Sequence, residues 1–217
     1  MSISKKMNEF AQRSSWIRKM FEEGAKLKQQ YGAENVFDFS LGNPDLPPPP
    51  EFDATIQRLV LDTSPGQHSY MPNGGYLNVR QAVAGQISKE QGMTVAADDM
   101  IMTCGAAGAI NVTLKALLNP GEEVIVLAPF FVEYHFYIDN QGGVAKVVNT
   151  KEDFNLDLDA IKKAVTANTK ALIINSPNNP TGQIYPESDM KALGELLSVC
   201  QEEFGTTIYM ISDEPYR

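Results

Sequence analysis

Positive charge is scarce in this 217-residue sequence: 18 Lys and Arg stand against 27 Asp and Glu, a formal net charge of -9 at pH 7. A nucleic-acid surface needs a basic face, so that class of partner is not expected. Cysteine is scarcer still. Cys104 and Cys200 are the only two, far apart and without ligand-like spacing, so neither a disulfide framework nor a zinc site is implied. No other metal-ligand cluster is visible, and two buried thiols in a reducing compartment are expected. The longest apolar run, Val124 to Val132, is far too short to span a bilayer. The first residues, Met1 to Asn8, lack the apolar core of a secretory signal. These absences read as a cytoplasmic protein with no membrane partner.

What is present is ordinary globular material, 43% hydrophobic and 21% charged, in which strand-like and helix-like stretches alternate. Residues 4–31 carry a helical stripe of Met7, Phe10, Ile17, Met20, Phe21 and Leu27, interrupted at Gly24 and stopped at Gly32. Phe37 to Leu41 reads as extended. Gly42 to Asp45 opens a stiff connector through Pro47 to Pro50, and Pro50 can start a helix carrying Ile56, Leu59 and Val60. A polar loop containing Tyr70 precedes a helix over 77–91. Strands are expected at Met100–Thr103, Glu123–Leu127 and Val144–Val148, and helices at Gly105–Leu118, Phe131–Asn140 and Leu158–Val165. Such alternation predicts an α/β fold with a mostly parallel sheet.

The densest information lies near the end of the sequence. Lys170-Ala-Leu-Ile-Ile-Asn-Ser-Pro-Asn-Asn-Pro-Thr-Gly182 and Ile208-Tyr-Met-Ile-Ser-Asp-Glu-Pro-Tyr216 both begin as short Ile-rich runs, of the kind expected for strands buried on both faces. Both end in polar, proline-containing clusters, with a helix over Pro186–Phe204 between them. A strand–helix–strand unit delivers its polar residues to the carboxyl ends of its strands, where open parallel sheets bind ligands. Asn175, Asn179, Thr181, Asp213 and Tyr216 are therefore the polar residues of interest.

Asn179-Pro180-Thr181-Gly182, paired with Ser212-Asp213-Glu214-Pro215-Tyr216, resembles the class I aminotransferases of pyridoxal-phosphate fold type I. Either motif alone is weak, since Asn-Pro-Thr-Gly is also a common turn and an Asp closing a strand is also a helix cap. The resemblance implies an incomplete fold type I large domain, a mostly parallel sheet flanked by helices, over residues 51–217. Residues 1–50 would form an amino-terminal helix and arm belonging to the small domain and dimer contact.

Pyridoxal phosphate needs an anion site, a lid for its ring, a partner for its pyridinium nitrogen and a lysine for its aldehyde. Small residues opening a helix suit a phosphate, and the resemblance assigns that part to Gly105, Ala106 and Ala107. They do not form the Gly-x-Gly-x-x-Gly dinucleotide fingerprint, and close packing is the alternative explanation for them. The resemblance further implies Phe131 as ring lid, with Phe130 competing, and Asp213 at the ring nitrogen. Tyr216 and Asn179 become donors to the phenolic oxygen, and Gly42 and Asn179 become substrate contacts. Tyr70 either reaches the phosphate across a homodimer interface or is a half-buried loop residue. Cis peptide bonds are implied before Pro129 and Pro180.

The aldehyde-binding lysine has no match. Relatives carry it after the aspartate, and Lys170 and Lys191 read as surface charges. The carboxylate-gripping arginine has none either, and Arg217 follows directly on a strand, so a piece of a longer protein is expected. Full length, the expectation is a cytoplasmic homodimer of amino-acid metabolism and biosynthesis, exchanging an amino group between an amino acid and a 2-oxo acid. A carbon–sulfur lyase or a decarboxylase of the same fold, or the aminotransferase-like domain of a transcriptional regulator, would share these motifs.

Overall fold

Four strands, β1 (Glu123–Ala128), β2 (Val144–Asn149), β3 (Thr169–Asn175) and β4 (Tyr209–Asp213), form one parallel sheet in the order β2-β1-β3-β4. Successive side chains on a strand leave opposite faces, and here both faces are covered. Ile125 and Leu127 of β1 join Leu172 and Ile174 of β3 in one apolar cluster. Val124, Val126, Ala171 and Ile173 join the other. This is why the central strands are almost continuously apolar rather than alternating.

The structure is a computed structural model that describes residues 2–13, 15–39 and 46–216. The sheet belongs to the second of two units, Tyr70–Arg217. There α4 (Leu77–Gln91) is followed by α5 (Gly105–Leu117), α6 (Tyr134–Asn140), α7 (Leu158–Ala164) and α8 (Glu187–Phe204). Ile110 and Leu114 of α5 and Tyr134 and Ile138 of α6 pack on one face of the sheet. Ile161 of α7 and Leu193, Leu197 and Cys200 of α8 pack on the other. The chain leaves β1 through α6 and returns from β2 through α7, on opposite faces, so its direction reverses between the adjacent strands β1 and β3. The carboxyl ends of strands at such a reversal are where open α/β sheets form ligand crevices.

Several sequence expectations need correction. The run over 208–213 is not buried on both faces: Tyr209 and Met210 are exposed, because β4 pairs only with β3 and is an edge of the described sheet. Met100–Thr103 is no strand. Its one backbone bond to another segment runs from the Met102 amide to Gly74 O at 3.0 Å, and Ile101 points to solvent. The helix expected over Phe131–Asn140 starts only at Tyr134. Cys200 is buried but Cys104 is exposed, since it precedes α5 rather than facing the core.

The first unit, Met1–Ser69, contains α1 (Lys5–Arg13), α2 (Ser15–Tyr31) and α3 (Pro50–Leu61), the last starting on its proline. Gly24 does not interrupt α2. A Cβ there would lie 3.2 Å from Asp38 Oδ2, an atom held 2.9 Å from Lys28 Nζ. The glycine is thus accounted for by close approach, not by helix breaking. Residues 37–39 lie in no strand, and Leu41 is outside the described residues.

Two glycines in the second unit give stability predictions of opposite sign. At Gly143, entering β2, an added Cβ would come within 2.8 Å of Leu118 and 3.0 Å of Ile138. Gly143→Ala is expected to destabilise by about 1–3 kcal/mol through overpacking. Gly194, inside α8, has no neighbour within 4 Å of a new Cβ, so Gly194→Ala should stabilise by ~0.5–1 kcal/mol. Urea unfolding of both variants checks the signs, and two shifts in the same direction would contradict this packing.

Candidate active site

Register brings the two polar motifs together. Asn175 and Asp213 are paired residues at the carboxyl ends of β3 and β4. Asn175 is buried and bonds both ways: its Nδ2 donates to Asp213 O at 2.8 Å, and its Oδ1 accepts from the Asn179 amide at 2.7 Å. One side chain therefore fixes the Asn-Pro-Thr-Gly turn against the end of the neighbouring strand. Inside that turn Asn178 Oδ1 accepts from the Thr181 hydroxyl at 2.9 Å and Gly182 N donates to Asn178 O at 2.8 Å. Thr181 thus shapes the turn and is not on the cavity wall. The peptide bonds before Pro129 and Pro180 are cis, and so is Ser176–Pro177.

Beyond these strand ends lies a cavity of about 300 Å³, walled by Ala106, Ala107, Phe131, Asn179, Asp213 and Tyr216 together with Tyr134 and Asn175. The sequence named all of these except Tyr134. The volume is at the lower end of the range for small-molecule sites. No lysine or arginine lines it among the described residues. Lys191 pairs with Glu187 at 2.7 Å on the surface of α8, and Lys170 lies 6.0 Å over the Tyr209 ring.

One wall is the amino terminus of α5. Gly105 has φ 68°, a left-handed conformation that turns the chain into the helix and that a side chain would strain. Gly105 itself is not on the cavity wall. Cys104 at the cap position provides no side-chain hydrogen bond, so first-turn N–H groups of α5 lack a side-chain cap. Such a terminus carries partial positive charge and attracts anions. Ala106 and Ala107, both exposed, keep it uncluttered.

Phe131 is also on the wall, half-buried and edge-on to Tyr134 at 5.8 Å. Phe130 turns away, meeting His135 at 5.0 Å, and is not on the wall. Tyr216 is 59% exposed at the rim. Tyr70 is fully exposed and not on the cavity, and Gly42 lies outside the described residues.

Asp213, also on the cavity wall, is 8% exposed. Its Oδ2 accepts the Tyr134 hydroxyl at 2.5 Å. Among the described residues its Oδ1 takes no hydrogen bond and no basic side chain pairs with it. Burial, reinforced by the bond to Asp213, pushes the Tyr134 hydroxyl far above the usual phenol range. Burial and a hydrogen bond to Glu133 raise Tyr137 in the same way. Sequence reasoning missed Tyr134. The only available signal was a tyrosine one helical turn after Phe131, and its partner lies 79 residues away.

Comparison with known proteins shows the family. The family model described as aminotransferase class I and II matches residues 34–216. A probable aspartate/prephenate aminotransferase of Thermus aquaticus is 38% identical over 177 residues, 81% of this chain and 44% of that protein. The crystal structure of an aminotransferase from Eubacterium rectale superposes with a TM-score of 0.94 at 36% identity, covering 100% of this chain and 55% of that one. An aspartate aminotransferase from Thermus thermophilus, solved with maleate, gives a TM-score of 0.77 at 32% identity, covering 91% of this chain and 50% of its own. The chain spans about half the length of the curated relatives it matches.

Proposed function

The chain belongs to the class I and II aminotransferases, and from that premise we propose that the whole protein exchanges an amino group between an amino acid and a 2-oxo acid using pyridoxal 5'-phosphate. The observation that carries this reading is Asp213: a buried carboxylate with no cation beside it among the described residues and one oxygen free of hydrogen bonds. Burying an unpaired charge is costly, and a protonated ring nitrogen is the partner that offsets the cost. The uncapped start of α5 suits the phosphate, and Phe131 adds an aromatic side chain to the cavity wall. The residues present therefore fit the group.

Bound there, pyridoxal phosphate supplies an electron sink for the charge left when the substrate loses its α-proton. Each residue then has a defined task. The N–H groups at Ala106 and Ala107 hold the phosphate, with Gly105 setting the turn. Asp213 keeps a proton on the ring nitrogen. Tyr216 and Asn179 donate to the phenolic oxygen, and Asn179 and Gly42 also face substrate. Tyr70, fully exposed here, reaches the phosphate of a second subunit in a homodimer, in which residues 1–50 provide arm and small-domain contacts. The protein works in cytoplasmic amino-acid biosynthesis. Aminotransferase names among the relatives favour this reading over the lyase, decarboxylase and regulator alternatives.

Amino-group transfer assayed with panels of amino acids and 2-oxo acids tests the reading. The whole protein should turn over, and reductive trapping with borohydride should label a lysine outside residues 1–217. The 217-residue chain alone should be inactive, because no lysine among the described residues lines its cavity. Turnover by the chain alone, with stoichiometric label on one of its own lysines, would refute the assignment.

A further inference from the structure

We propose that Met102 is the positioning residue for the phosphate-binding start of α5, held in place by a clasp with the turn over residues 72–75. The inference rests on the reading of the cavity as a pyridoxal-phosphate site. Its basis is how little else orders that end of the helix. Cys104 at the cap position makes no side-chain hydrogen bond. Gly105, Ala106 and Ala107 are exposed, and the first residue of α5 in the core is Ile110. Gly105 and Gly108 both weaken a helix relative to alanine. An uncapped, glycine-bearing end without an apolar anchor frays, and frayed N–H groups do not converge on an anion.

The clasp supplies the hold. The Met102 amide donates to Gly74 O at 3.0 Å, and the Gly75 amide closes the turn by donating to Pro72 O at 2.8 Å. Gly75 is buried with φ 96°, and a Cβ there would lie 2.6 Å from Met102 Cγ and 2.7 Å from Met102 Cβ. Only a residue without a side chain lets the two segments approach so closely. Arg80 ties them a second time, its Nη1 donating to Ala97 O at 2.8 Å. From Met102 the position is passed on locally. The Gly105 amide donates to Thr103 O and the Thr103 hydroxyl to Gly105 O, both at 3.0 Å. The first turn of α5 is thus fixed at Ile110 on one side and at Met102 on the other. Releasing the clasp leaves the body of the helix in the core but lets this turn sample states that cannot bind phosphate. Apparent affinity then falls by the fraction of molecules still ordered.

The test is equilibrium binding of 4-deoxypyridoxine, with and without its 5'-phosphate, to the whole protein freed of cofactor. Neither ligand has an aldehyde, so no bond to a lysine contributes. Gly75→Ala drives a methyl group into Met102, and Met102→Ala removes the side-chain half of the clasp. The dissociation constant of the phosphorylated ligand should rise on the order of tenfold in Gly75→Ala and by less in Met102→Ala, while that of the unphosphorylated ligand stays within about twofold of wild type. Equal losses for both ligands, or no loss for either, overturn the proposal. If Gly75→Ala does not fold, Met102→Ala decides alone, since shortening a half-buried side chain introduces no clash. Ala106→Asp measured alongside separates the two levels. A phosphate-specific loss there, with none in the clasp variants, overturns the role of Met102 and leaves the site reading intact. No phosphate-specific loss in Ala106→Asp refutes the site reading itself.

Discussion

In the whole protein, Asp213→Asn is expected to slow loss of the substrate's α-proton by about 10²–10³-fold, the scale on which removing one preorganised electrostatic group acts. Asparagine fills the same volume, and its amide oxygen can still accept from Tyr134. It carries no charge, so it cannot hold a proton on the ring nitrogen. Cofactor binding also depends on the start of α5 and on Phe131, and it should persist. The same substitution should leave the cofactor-free protein at least as stable as wild type. It replaces a buried carboxylate, 8% exposed and without a cationic partner among the described residues, by a neutral group that is less costly to bury. Rate and stability should thus move in opposite directions. Single-turnover α-proton exchange and thermal unfolding of the cofactor-free protein measure the two. Equal exchange rates in variant and wild type would reduce Asp213 to a structural residue.

The parts of this site that were legible in sequence are those encoded locally. Lys170–Asn175 is apolar enough to mark a central strand, and β3 is buried at nearly every position. Asn179 and Asp213 each follow an Ile-rich run closely, so a strand–helix–strand reading puts both at the same end of a sheet, where they are found. What was illegible depends on neighbours. Ile208–Asp213 has the same composition as a central strand, yet its exposure is decided by which strand pairs beside it. Met100–Thr103 has strand-like residues and no strand to join. Tyr134 has no local feature that announces Asp213, because a hydrogen bond across 79 residues exists only once α6 is laid on the sheet. Gly24 was misjudged for a related reason: the carboxylate of Asp38 that it accommodates comes from a different segment.

Ala106→Asp offers the sharpest separation of cofactor binding from folding, because it should harm one while helping the other. Ala106 is in the first turn of α5, on the cavity wall, and the cap residue Cys104 makes no side-chain hydrogen bond to that turn. A carboxylate placed there interacts favourably with the helix terminus, typically by about 0.3–1 kcal/mol. The cofactor-free protein should therefore melt at the same temperature as wild type or slightly higher. A phosphate approaching the same N–H groups meets a like charge. At about 4 Å and an effective dielectric of ~20, two unit charges repel by ~4 kcal/mol, which corresponds to about three orders of magnitude in dissociation constant. Ala106→Ser adds a hydroxyl without charge and should bind the cofactor within roughly tenfold of wild type, a change of about 1.4 kcal/mol or less. Absorbance titration with pyridoxal phosphate, run beside thermal unfolding, distinguishes the cases. Weak binding with an intact melting temperature is the expected result for Ala106→Asp. Wild-type affinity in that variant would mean that the phosphate is bound elsewhere and that the small residues opening α5 serve packing alone.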